Sequence, residues 1–236
     1  MARRVWRVVE TQEIAATQAI TESAEQQSRL EQLLDASKPP VADDCQGLSY
    51  LLYTPFRYPP LQYGSRFGGR FERGIFYASL NQAAAFAESA TYLWLFQSGP
   101  IEPGPLAVIR DQRTAFLVSI KATRAIDLAR PAFARIRQAA SEPGSWDLSQ
   151  KLGSAMREAR TQYCLYASPR LPPAINVAVF AANAFADAQP RDTQHWHLRL
   201  NEQSCWFTRR GKQGGESFEF RRADFEVEGR IPHATL

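Results

Sequence analysis

The stretch YGSRFGGRFERGIFYAS, residues 63–79, constrains this chain more than any other. A loop with four glycines and three arginines runs straight into an apolar, aromatic segment with the composition of a buried strand. GIFYAS is followed at once by NQAAAFAESATYLWLFQ, a helix pattern in which alanine supplies propensity, Phe86, Leu93 and Leu95 supply apolar contact, and Ser79 or Asn81 caps the first turn. The order loop, strand, helix excludes the dinucleotide fingerprint, which needs its strand before the glycines. G-x-x-x-x-G-K-[ST], G-x-S-x-G and H-E-x-x-H are also absent. What remains to be explained is fixed positive charge set against an apolar strand.

The rest of the chain mixes elements without a regular βαβ rhythm. Residues 17–36 carry apolar positions at Ile20, Ala24, Leu30, Leu33 and Leu34, an amphipathic helix closed by Lys38-Pro39-Pro40. LSYLLYTPF, residues 48–56, reads as a strand, as does TAFLVSIKA, residues 114–122; DLSQKLGSAMREAR, residues 147–160, reads as a helix. TQYCLYASPR is a short buried strand ending in a turn, and INVAVFAANAF is an apolar run whose state periodicity does not decide. HWHLRL, SCWFTRR and ESFEFRR alternate as strands, with the hairpin turn GKQGG between the last two. This pattern predicts a single α+β domain with a mixed, twisted sheet flanked by helices.

Bulk properties narrow the function classes. At 236 residues and 44% hydrophobic the chain can bury one sizeable core. Its 28 basic and 24 acidic residues sum to +4 and are scattered, which argues against nucleic-acid binding. Three cysteines, irregularly spaced and without C-x-x-C, argue against a disulfide framework or zinc site and for a reducing cytoplasm. No stretch has the length of a membrane span, and no apolar segment follows the basic start, so a soluble, unexported protein is expected.

Candidate chemistry is spread over separate places: Arg57 in TPFRYPP, Arg66 in YGSRFGG, Tyr77 in GIFYAS, Glu88 in AAAFAES and Ser168 in LYASPR. Glu88 lies on a helix face otherwise turned to the core, where an unpaired charge is costly. It either braces helix to loop as a structural Arg–Glu pair or exists for chemistry. His195 and His197 share one strand face, but two ligands are too few for a metal, and a surface strand is the better reading.

In order, the motifs GSRFGG..FERGIFYASLNQAAAFAE, LYASPR and INVAVF resemble the RES domain, a family of toxins from bacterial toxin–antitoxin pairs. Its members show a Gly-Arg-Trp-like loop, a strand ending in Tyr and a small residue, a helix with Ala-x-x-Glu, a Tyr-x-Ser turn and an Asn-apolar run. The likeness covers residues 46–200, leaving 1–45 as an N-terminal helical extension and 201–236 as a strand-rich extension packed on the same domain. Phe67 replaces the usual Trp, and both Arg66 and Arg70 align with the loop arginine.

The resemblance implies a fold similar to ADP-ribosylating toxins and cleavage of the nicotinamide–ribose bond of NAD+, as a glycohydrolase or phosphorylase. NAD+ is then a substrate, with no bound cofactor and no metal. Arg66, helped by Arg57, holds the diphosphate or incoming phosphate; Glu88 stabilises the cationic ribose; Tyr77 lies at the nicotinamide end; Ser168 positions by hydrogen bonding. Transfer of ADP-ribose to a protein is the alternative enzyme, and a non-catalytic antitoxin-binding module the alternative from another class. The partner implied is a helix-turn-helix antitoxin of Xre type, and a homodimer stays open.

Overall fold

The computed structural model describes residues 2–11, 16–102, 104–211 and 214–234. Its centre is a strand the sequence pattern did not announce. β1, Ala2–Glu10, pairs along its whole length with β3, Ile109–Lys121, and through Trp6↔Ser79 with β2, Phe76–Ser79. Three of its nine residues are arginine, and Val5 is its one fully buried side chain, so no apolar alternation marked it as sheet. The expected N-terminal helix is also present. It is divided into a short turn of 3-10 helix at Ala16–Ile20 and α1, Ala24–Ser37, whose first turn Ser23 caps through Gln26 N–H.

The nine strands form one sheet in the order β4-β5-β6-β2-β1-β3-β7-β8-β9, where β4 is Ala125–Asp127, β5 Tyr163–Ala167, β6 Ile175–Val179, β7 Asp192–Leu200, β8 Ser204–Gly211 and β9 Gly214–Arg221. Only the β4–β5 pair is parallel, so the sheet is mixed and the fold is α+β. INVAVF, left undecided by periodicity, is the buried strand β6. The three tail strands continue the same sheet. Gly211 pairs with Gly214 in the β8–β9 hairpin, while Lys212 and Gln213 of GKQGG lie outside the described residues.

One expectation fails outright. LSYLLYTPF is not a strand: Ser49 caps α2, Tyr50–Arg57. Its aromatic and apolar residues favour sheet in isolation, but Leu52 and Phe56, four residues apart, bury together against the sheet, and that packing decides. On this face α2 covers Val5, Phe116, Val118, Val177 and Val179.

The other face carries two clusters. The helix α3, Gln82–Gln97, crosses the central strand β1 and packs Phe86, Ala90 and Trp94 into one cluster with Ala115, Trp196, Leu198 and Phe207. Over β5 and β6, α4, Ala134–Ala140, and α5, Asp147–Glu158, bury Ala140 and Met156 against Cys164, Tyr166 and Ala178. All three cysteines are buried as free thiols. No helix among the described residues is long and apolar enough to cross a membrane.

Candidate active site

A cleft of about 1240 Å³ opens beside α3, lined from β1, β2, β5, β6, α2 and α3. Strand register sets its floor: Trp6, Ser79, Asn176 and Tyr166 are successive partners across β1, β2, β6 and β5, and all four line it. Glu88 enters from α3 because that helix starts at the end of β2, capped by the Asn81 side chain on Ala84 N–H.

Glu88 is held by neutral donors. Asn176 Nδ2 donates to its Oε1 at 2.7 Å, and Ser168 Oγ donates to the same oxygen at 3.4 Å. Both donors are fixed in turn. Ser79 Oγ donates to Asn176 Oδ1 at 2.6 Å, and Ser168 Oγ accepts from the amides of Arg170 at 3.3 Å and Leu171 at 3.1 Å. Burial pushes the Glu88 carboxyl above its usual range, against the pull of Arg170, Arg66 and the two hydrogen bonds.

Arg66 and Arg170 are both buried and both line the cleft. Neither braces Glu88 as a structural ion pair; each is tied to backbone carbonyls and acts on it through space. Arg66 Nη1 donates to Glu142 O at 2.7 Å and Ala140 O at 3.5 Å, and Arg170 Nη2 donates to Pro232 O at 2.8 Å. Two arginines on one cleft wall match the fork geometry of a phosphate or diphosphate.

The loop carrying Arg66 is pinned from three sides. The Tyr77 hydroxyl accepts from Phe67 N–H at 3.0 Å and shares a 2.9 Å hydrogen bond with Ser65 Oγ, so Tyr77 fixes the loop as well as lining the cleft. Gln150 of α5 donates to Tyr63 O and Ser65 O at 2.9 and 3.1 Å. Gly64 takes a left-handed φ of 77°, and Gly153 lets α5 approach so closely that a Cβ there would sit 1.9 Å from Phe67 O.

The other charged residues of this loop turn away. Glu72 accepts from Gly69 N–H at 2.6 Å and from Ser154 Oγ at 2.8 Å, and Arg73 forms a bidentate pair with Asp44 at 2.7 and 2.8 Å. Arg70 is exposed, its guanidinium 4.6 Å from the Phe71 ring centre. Of the two arginines that align with the loop position, Arg66 is the one in the cleft.

The structure thus brings together Arg66, Tyr77, Glu88 and Ser168. It does not bring Arg57, which ends α2, donates to Pro39 O and lies over Tyr58 outside the cleft lining. The arginine that joins Arg66 in acting on Glu88 is Arg170, two residues after Ser168, and the residue that fastens the carboxylate is Asn176; both stood in quoted motifs, but only folding shows their reach. Arg7 also reaches the cleft: Nη1 donates to Tyr77 O at 2.7 Å, and burial lowers its guanidinium to about 10. His195 and His197 are exposed on β7.

A family model described as the RES domain matches residues 41–201. No curated protein matches the sequence. Among solved structures the chain is similar to one from the crystal structure of the M. tuberculosis MbcT–MbcA toxin–antitoxin complex, with 12% identity, 86% of each chain covered and a TM-score of 0.49.

Proposed function

The chain belongs to the RES domain family, and we propose that it is the toxin of a toxin–antitoxin pair that cleaves the nicotinamide–ribose bond of NAD+. The single observation that carries the reading is Glu88: a carboxylate lining the cleft, held by Asn176 and Ser168, with two guanidinium groups near it but not bonded to it. As the C1′–N bond breaks, its electron pair goes to the pyridinium nitrogen and positive charge builds on the ribose. An ionised Glu88 stabilises that charge and accepts from the 2′-hydroxyl. Water or phosphate then bonds to C1′ and loses its proton.

Arg66 and Arg170 receive the diphosphate, or an incoming phosphate, as bidentate donors, the role the sequence pattern assigned to Arg66 and Arg57. Tyr77 borders the nicotinamide end, and Ser168 positions Glu88. Nicotinamide is a neutral leaving group, so the scheme uses no metal. An antitoxin of Xre type that occludes the cleft completes the reading.

The test is nicotinamide release from NAD+ by the purified protein, with and without phosphate, beside Glu88→Gln. Release by the parent and a loss of roughly a hundredfold or more in the variant are expected. No release under either condition overturns the reading, and label from NAD+ retained on protein redirects it to ADP-ribosyl transfer.

A further inference from the structure

The helix α1 has an apolar stripe that no described part of the domain covers. Leu30, Leu33 and Leu34 share one face by their i, i+3, i+4 spacing, yet none of the helix's residues is buried, and Leu33 and Leu34 are 51% and 40% exposed. Its contacts run chiefly to the 3-10 turn at Ala16–Ile20, and the hydrogen bonds around that turn are polar: Thr21 Oγ1 donates to Gln27 Oε1 at 2.8 Å, and Gln27 Nε2 to Glu31 Oε1 at 3.0 Å. A helix of 14 residues is marginal in water without tertiary packing, so the stripe calls for a surface that this position does not supply. A matching surface stands at the rim of the cleft, where Tyr50, Tyr58, Leu61 and Tyr63 line the opening and are all exposed. The chain leaves that rim and returns to it on either side of α1. β1 ends at Glu10, a lining residue, and past α1 the Arg57 Nε donates to Pro39 O while its guanidinium lies over the Tyr58 ring. Arg57 also acts through space on Asp35 in the last turn of α1.

We infer that α1 is a lid, which swings about its held C-terminal end and lays Leu30, Leu33 and Leu34 on Tyr50, Tyr58, Leu61 and Tyr63, closing the cleft over a bound ligand. Apolar surface on both partners then leaves water, which drives the contact. At about 1.5 Å per residue the 14 residues of α1 reach about 21 Å, enough to cross the mouth of a cleft of about 1240 Å³. The extended backbone of Lys38, ahead of Pro39 and Pro40, supplies a pivot that leaves the helix itself wound. Closure removes bulk water from around Glu88 and retains the ligand during turnover. The lid lies outside the matched residues 41–201.

The identity of the ligand rests on the reading of the cleft as an NAD+ site, so the experiment measures closure apart from turnover. The three native cysteines are buried, which leaves an introduced pair to report contact. In the full chain, oxidised with copper phenanthroline, Leu33→Cys with Leu61→Cys should form an intramolecular disulfide about tenfold faster than Gln32→Cys with Leu61→Cys, whose first position is on the polar face of α1. NAD+ should speed the Leu33 bond, and the locked protein should lose nicotinamide release until reductant restores it. Equal rates from the two pairs, or no bond from either, overturn the lid. So does a Leu33 bond that NAD+ slows or leaves unchanged in a protein that turns NAD+ over, the slowed case marking α1 as a plug of the empty cleft. Without any disulfide, Leu30→Gln with Leu33→Gln and Leu34→Gln should keep the parent Tm, because these side chains bury nothing, and raise KM for NAD+ about fivefold. An unchanged or lowered KM in that folded variant overturns the lid. A disulfide with the Leu33 preference in a protein that releases no nicotinamide supports the lid and overturns the activity.

Discussion

At Glu88, burial works against the ionised carboxylate that the proposed chemistry uses. Burial raises its pKa, so the folded state holds the proton more tightly than the unfolded chain. The favourable contribution is therefore complete below the ordinary value of 4.5 and is lost as pH rises through that value toward the folded one. Once ionised, Glu88 destabilises the fold, so the gain in Tm from Glu88→Gln should be absent near pH 4 and grow as pH rises above 4.5; a gain that does not grow with pH would contradict the assignment. The same shift places the acid limb of kcat/KM above 4.5, because turnover needs the ionised form. Glu88, Arg66, Tyr77 and Ser168, which stand in local motifs, are brought together by the fold. Arg57 lies outside the cleft lining and Arg170 within it, because side-chain reach across the cleft is not a property of spacing.

At the scale of elements, the Arg66 loop keeps its place through α5. Gly153→Ala sets a methyl against Phe67 O, which overpacks the contact, at a cost of about 1–3 kcal/mol. Because Phe67 follows Arg66, the displacement also moves the guanidinium. The expected result is a lower denaturant midpoint together with weaker substrate binding, read by chemical unfolding and KM; an unchanged midpoint and KM would show that the loop is placed by Tyr77 alone. The elements whose type was legible, β2, α3, α5 and the tail strands, have strong local periodicity or caps. α2 was misread because its residues favour strand until Leu52 and Phe56 meet the sheet.

For the molecule as a whole, β1 joins the half of the sheet that bears the site to the half that carries the tail, since it alone lies between β2 and β3. Removing residues 2–10 should abolish a cooperative thermal transition in near-ultraviolet circular dichroism; a sharp transition would mean that the halves hold without it. By itself the sequence determined the α+β class, the succession of loop, strand and helix that delivers Arg66, Tyr77 and Glu88, and the family that these motifs mark. Those features are local, written in spacing and propensity. Only the tertiary structure decided that β1 is central, that Asn176 and Ser168 grip the carboxylate, that Arg170 joins Arg66 at the cleft, and that His233 lines it. Each depends on strand register or on contacts between distant segments, where the deciding energy is burial and pairing rather than local preference.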